Sequence, residues 1–270
     1  MSWRSGRSVK SRPVKKSRKR ERLTRPIVRA SNLAPTSVTL SQQSGYGMWD
    51  DFEIASAETG EVGRLGWAIA DVGSGGGSIA AVTPPAAGWL DCGTIKLTTA
   101  GSSGNGIAIH QGQTTTCPFY GPPPVGARMF TKIKMDGTLT QVNVWAGLFY
   151  SATVIPDAAG SNTAHGIGFV ARATATAVNW FGICRRGTTE TKVDLKVAAN
   201  TKYATLGWRK TRRGIQFQVE NKDVGSVVTT NIPAATQALA PVIAIAPASA
   251  SARNIIVDYY GLTAPVKRFG

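Results

Sequence analysis

The sequence predicts an all-β chain: a two-sheet antiparallel β-sandwich preceded by a basic, extended N-terminal arm. Three observations predict it. From Trp49 onward the chain is a succession of short apolar or alternating runs separated by turn residues. Its composition is rich in Gly, Ala, Thr and Val and poor in Leu, Lys and Glu, which suits strands and turns. The first thirty residues hold twelve Lys or Arg against one acid, Glu21, so the arm carries most of the formal net charge of +16.

The arm, residues 1–30, comes first. Its cations are Arg4, Arg7, Lys10, Arg12, Lys15, Lys16, Arg18, Lys19, Arg20, Arg22, Arg25 and Arg29, with Trp3 near the start. Such a segment cannot bury apolar surface and repels itself, so in isolation it is expected to be disordered. No apolar stretch follows it, so no secretory signal is expected. Pro13 and Pro26 oppose the amphipathic helix of a mitochondrial transit peptide. Nowhere does an apolar run reach the roughly 18–20 residues of a membrane helix, so no membrane partner is expected. Residues 31–47 read as a polar connector with one short strand at Ser37–Leu40. Residues 48–265 form the sandwich, and 266–270 a C-terminal tail.

Within the sandwich the expected strands are Trp49–Ser56, Leu65–Ala70, Ser78–Thr83, Gly93–Thr98 and Ile107–His110. Arg128–Met135, Val142–Tyr150, Gly166–Arg172, Trp180–Arg185 and Val193–Leu195 follow. The last are Tyr203–Lys210, Gly214–Glu220, Lys222–Thr229, Pro241–Ala246 and Asn254–Leu262. Alternation is clearest in RMFTKIKM, where Met129, Thr131, Ile133 and Met135 share a face, and in IQFQVE, where Ile215, Phe217 and Val219 do. ENKDVG is a hairpin-turn signal. CPFYGPPPVG is too proline-rich for a central strand, and TNIPAATQALAP offers one short helical turn. So many short strands exceed what one flat sheet carries, and two packed sheets are the economical solution.

The opening WDDFEIA, the closing NIIVDYYGLTAP and the ordered set NWFGICRRGTTETKVDLKV, TKYATLGWRK, IQFQVENKDVGSVVTTNIP and LAPVIAI span Asp50 to Pro265. This set resembles concanavalin A-like (lectin/glucanase-type) jelly-roll sandwiches among the structural proteins of tailed bacteriophages. The resemblance implies a virion protein made in the host cytoplasm: a capsid decoration, cement or head-fibre subunit. Its expected partners are the major capsid protein lattice or other virion proteins, and copies of itself as a dimer or trimer.

Glucanases of this fold use paired carboxylates, spaced as E-x-D-x-E or E-x-D-x-x-E. No such string occurs, so the chain is expected not to be an enzyme. Asp51 and Glu53 share a face, but on the first strand, where a solvated or capping role is commoner. His110 and His165 read as strand residues. NKD at 221–223 and DAAGSN at 157–162 are too sparse for a cation site, and Cys92, Cys117 and Cys184 are far apart and odd in number. Neither a metal nor a cofactor is expected, and the cysteines are expected to be free thiols. Of the six Trp within the sandwich, most are assigned to the core. Trp89, in PPAAGWLDCG, is the candidate for an exposed glycan contact.

The arm needs an anionic partner. It docks on an acidic protein lattice, or it binds packaged genome as part of a capsid shell subunit, with strongly salt-dependent affinity, or it is a solvated tail. The lattice reading is preferred because it agrees with the phage-like middle of the sandwich. A glycan-binding adsorption module is the further alternative.

Overall fold

The computed structural model describes residues 45–52, 55–56, 61–74, 76–82, 93–112, 119–137, 140–151, 164–173 and 178–265. The chain divides into two units, Met1–Leu33 and Ala34–Gly270, and every described residue belongs to the second. The strands in chain order are β1 (Gly45–Asp50), β2 (Ala55–Ser56), β3 (Glu61–Val62), β4 (Trp67–Val72), β5 (Ser78–Ala81), β6 (Ile95–Thr98), β7 (Gly106–His110), β8 (Phe119–Tyr120) and β9 (Arg128–Asp136). They continue with β10 (Val142–Phe149), β11 (Gly166–Ala173), β12 (Asn179–Arg186), β13 (Thr189–Ala198), β14 (Ala204–Lys210), β15 (Ile215–Val219), β16 (Lys222–Val228), β17 (Ala238–Pro247) and β18 (Asn254–Pro265).

The all-β expectation holds: two antiparallel sheets form a sandwich, and there is no helix among the described residues. One sheet has the order β16-β15-β14-β9-β18-β6-β5, with β1 also on β18. The other runs β13-β12-β11-β10-β17-β7-β4-β3-β2, with β8 on β17. The first and last strands lie side by side, Trp49 opposite Gly261 and Asp50 opposite Tyr260.

The core between the sheets follows from period-two alternation. Met129, Ile133 and Met135 of β9 face Val144, Ala146 and Leu148 of β10 within one buried cluster. Tyr260 crosses the interior, donating its hydroxyl to the Gly147 carbonyl at 3.2 Å, and packs edge-on against Trp67. Phe169 and Phe217 meet at 5.9 Å from opposite sheets. Gly182 makes room there, because a Cβ at that position would lie 2.5 Å from the Phe217 ring. Gly182→Ala is expected to cost about 2 kcal/mol by overpacking and to lower the thermal midpoint by about 4–8 °C, measured by calorimetry.

Strand β17 is buried on both faces. Ile243 and Ile245 enter the main core, while Val242, Ala244 and Ala246 join Trp145, Val170 and Ile183 in a second apolar cluster. An apolar run without polar alternation reads this way when both faces are covered.

Several expectations are corrected. The first strand is Gly45–Asp50, not Trp49–Ser56, because Met48 and Asp50 take the inward positions. The strand at 193–195 extends to Thr189–Ala198. TNIPAATQALAP forms no helix, only one hydrogen-bonded turn, Gln237 N–H to the Ala234 carbonyl at 3.0 Å, before Ala238 opens β17. The proline-rich loop is no central strand, as expected: Phe119 and Tyr120 make only a two-residue strand off the sheet path, on β17. The ENKDVG hairpin forms as expected, with Glu220 and Asn221 at φ 48° and 62°, as a two-residue turn with positive φ at both positions requires. The Ser37–Leu40 strand, the arm, the tail, Trp3, Trp89, Cys92, Cys117 and DAAGSN lie outside the described residues.

Cys184 is a buried free thiol, and burial pushes its pKa up to about 12. At pH 8 a thiol reagent is expected to leave Cys184 unmodified until the protein is denatured, since the thiolate is the reacting form. Peptide mapping separates it from the other two cysteines.

Candidate functional site

The carboxylates at the opening strand were expected to be solvated or capping. Asp50 turns out to be interior, about 1 % exposed. Its carboxylate accepts from the peptide N–H groups of Phe52 (2.8 Å), Leu65 (3.0 Å) and Arg64 (3.3 Å), and from the Trp67 indole (3.0 Å). Gly63 sits so close that a Cβ there would lie 2.4 Å from the carboxylate. Burial pushes the Asp50 carboxyl above its ordinary value, while these donors pull it back. The group therefore ties the β3–β4 turn to β1. Asp51 is half-buried, and Glu53 lies outside the described residues.

The histidines and the NKD turn are also engaged structurally. His165 accepts from the Gly187 N–H at 3.1 Å, and burial with Arg186 and Arg185 lowers its pKa. The His110 ring contacts the Gly112 carbonyl at 2.7 Å. Asp223 pairs with Arg209 and accepts from Gln218. No cluster of metal-ligating side chains occurs among the described residues.

The remaining surface feature is aromatic. Trp67, Trp145, Trp180 and Trp208 are buried, as the core assignment of the tryptophans anticipates, but Trp49 is 52 % exposed. It lies on the outer face of the eight-stranded sheet because Met48 and Asp50, on either side, point inward. Its ring stacks on Tyr259 at 4.8 Å and 23° and leans on Phe130 at 5.3 Å. Phe130 and Tyr259 close the triangle edge-to-face at 6.1 Å.

Backbone register explains the cluster. Trp49, Gly261 and Phe130 form one cross-strand row on β1, β18 and β9, with Gly207 of β14 next. The glycines leave a floor over which the rings fold: a Cβ on Gly261 would lie 2.3 Å from Phe130 and 2.9 Å from Trp49. Tyr259 stands two residues along β18, opposite Lys132.

The rim is polar and charged. Lys132 pairs with Asp258, and the ammonium groups of Lys132 and Lys134 lie 4.7 and 4.4 Å from the centre of the Tyr203 ring. Arg128 and Thr263 are exposed at the other end of the same face. Burial raises the Tyr259 phenol above its ordinary value, against the pull of a Thr205 hydrogen bond and of Lys132. The phenol therefore stays neutral at physiological pH and works as a hydrogen-bonding group.

Sequence reasoning missed this site because it placed Trp49 with the core tryptophans. The usable signal was the reverse face of RMFTKIKM. If Met129, Thr131, Ile133 and Met135 point inward, then Arg128, Phe130, Lys132 and Lys134 stand outward, and an outward Phe on a central strand asks for aromatic neighbours.

Comparison with solved structures agrees with this architecture. A protein of unknown function from Shewanella oneidensis MR-1 superposes with a TM-score of 0.58 at 12 % identity, covering 87 % of this chain and 92 % of that one. The shared architecture is the two-sheet antiparallel β-sandwich. A Bacillus licheniformis β-glucanase (TM-score 0.49, 14 % identity, 84 % and 100 % covered) is also similar. So is a prokaryotic β-1,3-1,4-glucanase from a mouse hindgut metagenome (0.48, 11 %, 82 % and 99 %). No family model matches the sequence, and no curated protein matches it.

These findings support the jelly-roll half of the expected resemblance; its bacteriophage half gains no support from them. They also correct the expectation that the chain is not an enzyme. Glycoside hydrolases are among its structural neighbours, at 11 % and 14 % identity.

Proposed function

We propose that this protein binds glycans, with Trp49, Phe130 and Tyr259 as the sugar platform. The observation that carries the reading is the exposed Trp49 ring stacked on Tyr259 over a glycine floor. A sugar offers C–H faces that pack on aromatic rings, while its hydroxyls reach polar groups around them, here Thr263, Thr205 and Asp258. Aromatic side chains with an apolar body and a polar tip suit such half-wet surfaces. The rings sit on paired strands and brace one another, so little conformational freedom is lost on binding.

The test is a glycan array probed with the full-length protein, with a peptide of residues 1–30 as the control for the arm. Binding of a glycan class above the peptide background is expected; no signal beyond that background contradicts the reading. Assaying the bound glycans for new reducing ends reports whether the protein cleaves them.

The charge block of the arm favours a second reading, which is compatible with the first. The arm fastens the sandwich to an acidic lattice such as a capsid, through many charge-assisted contacts. Full-length protein is then expected to bind preformed heads and to remain small and free of nucleic acid in solution. Light scattering and the 260/280 nm absorbance ratio check this. Large particles rich in nucleic acid would instead make the arm a genome-binding one.

A further inference from the structure

We infer that the platform selects anionic glycans, those bearing carboxylate or sulfate groups, over neutral ones. This rests on the glycan-platform reading of the same face. Its basis is the pattern of cations around the rings. On β9 the outward side chains are Arg128, Phe130, Lys132, Lys134 and Asp136, the last of which pairs with Lys96. A residue two positions along a strand is about 7 Å away, so Phe130 has a cation on each side within one Debye length, about 8 Å at physiological salt.

Not all of these cations are neutralised. Lys132 has Asp258 and Arg209 has Asp223. Arg128 is exposed with no acidic partner among the described residues, and Lys134 rests on the Tyr203 ring rather than on an acid. Arg212 and Arg213, in the turn after β14, are exposed and likewise lack an acidic partner among the described residues. Arg128 lies directly opposite Arg209 across the β9–β14 ladder. Asp223 neutralises Arg209 in that pair, which leaves Arg128 as the cation open to an anion.

The arrangement of the rings favours a glycan over a nucleic-acid strand. Trp49 and Tyr259 are already stacked on each other at 4.8 Å, leaving no gap for a base between them. Strand-binding surfaces instead set out separate rings for successive bases.

The test uses the full-length protein throughout, so that the arm contributes equally to every measurement. Titrations are made with polygalacturonate, dextran sulfate, a neutral mixed-linkage β-glucan and oligo-dT. The variants are Trp49→Ala and the double variant Arg128→Gln/Lys134→Gln. The wild type is expected to bind polygalacturonate or dextran sulfate at least 10-fold more tightly than the β-glucan, and which of the two it prefers identifies the acid group. The double variant is expected to lose about 10-fold of that affinity, with unchanged thermal stability, and Trp49→Ala a similar factor.

Neutral glucan bound as tightly as the anionic polymers, and indifferent to the double variant, overturns the selectivity while the platform reading stands. Anionic polymers bound equally by wild type and Trp49→Ala place binding on the arm and overturn both. Oligo-dT bound more tightly than either polysaccharide, with loss in Trp49→Ala, makes the surface a nucleic-acid site and also overturns the inference.

Discussion

Asp50→Ala is expected to lower the stability of the sandwich by about 4 kcal/mol or more. The substitution leaves the Trp67 indole and the N–H groups of Phe52 and Leu65 without their acceptor in a buried site. Each unsatisfied buried donor costs on the order of 1–3 kcal/mol. For a domain of this size the thermal midpoint should fall by on the order of 10 °C, checked by calorimetry or by circular dichroism melting. Asp50→Asn, which keeps one acceptor oxygen and adds a donor among donors, is expected to fall between wild type and alanine. The upward direction of the Asp50 pKa fixes the sign of its pH dependence. A carboxyl raised above its unfolded value contributes fully below that value and loses the contribution as pH rises through the folded one. Acid unfolding is therefore not expected to begin at Asp50.

The second large effect is on binding. Trp49→Ala is expected to weaken glycan binding by at least 10-fold, as truncation of a central aromatic anchor does, with a thermal midpoint close to wild type because the ring is half in solvent. Gly261→Ala should act on the same platform without touching a ligand. Its methyl group would occupy the space of the Phe130 and Trp49 ring edges, and those rings can swing outward more easily than the strands can part. A calorimetric titration of both variants separates this from unfolding: lost affinity with retained melting behaviour is the expected pair of results.

The two variants mark how much of the molecule its sequence reveals. Alternation in RMFTKIKM and IQFQVE assigned β9 and β15 correctly, because core-facing apolar residues enforce period two. The two-residue turn at Glu220–Asn221 was legible because few residues tolerate positive φ. At the opening strand the same reasoning misled. A Trp beside an Asp is read as the buried member of the pair, yet Asp50 is buried, held by four donors contributed by residues 52–67. Those donors are assembled only once the β3–β4 turn closes, so no local pattern announces them. With Asp50 inward, Trp49 is forced outward, and the aromatic surface follows.

Tyr259 and Tyr260 show the same effect in miniature. They are adjacent and identical in type, yet one hydrogen-bonds across the core and the other stacks on the surface. Register alone separates them. Glycine positions such as Gly261 and Gly182 were visible as letters but not as the floor of a ring cluster or the gap for Phe217, since both roles depend on partners from distant strands.

The most direct test of the platform is the indole region of a ¹H–¹⁵N spectrum of the full-length protein, with the Trp49 signal assigned by Trp49→Phe, during titration with the best-bound glycan. The Trp49 indole is expected to shift with saturation while the buried indoles of Trp145, Trp180 and Trp208 stay in place. A glycan that leaves the Trp49 signal unmoved and shifts Trp3, Trp89 or a core indole instead would contradict the platform reading.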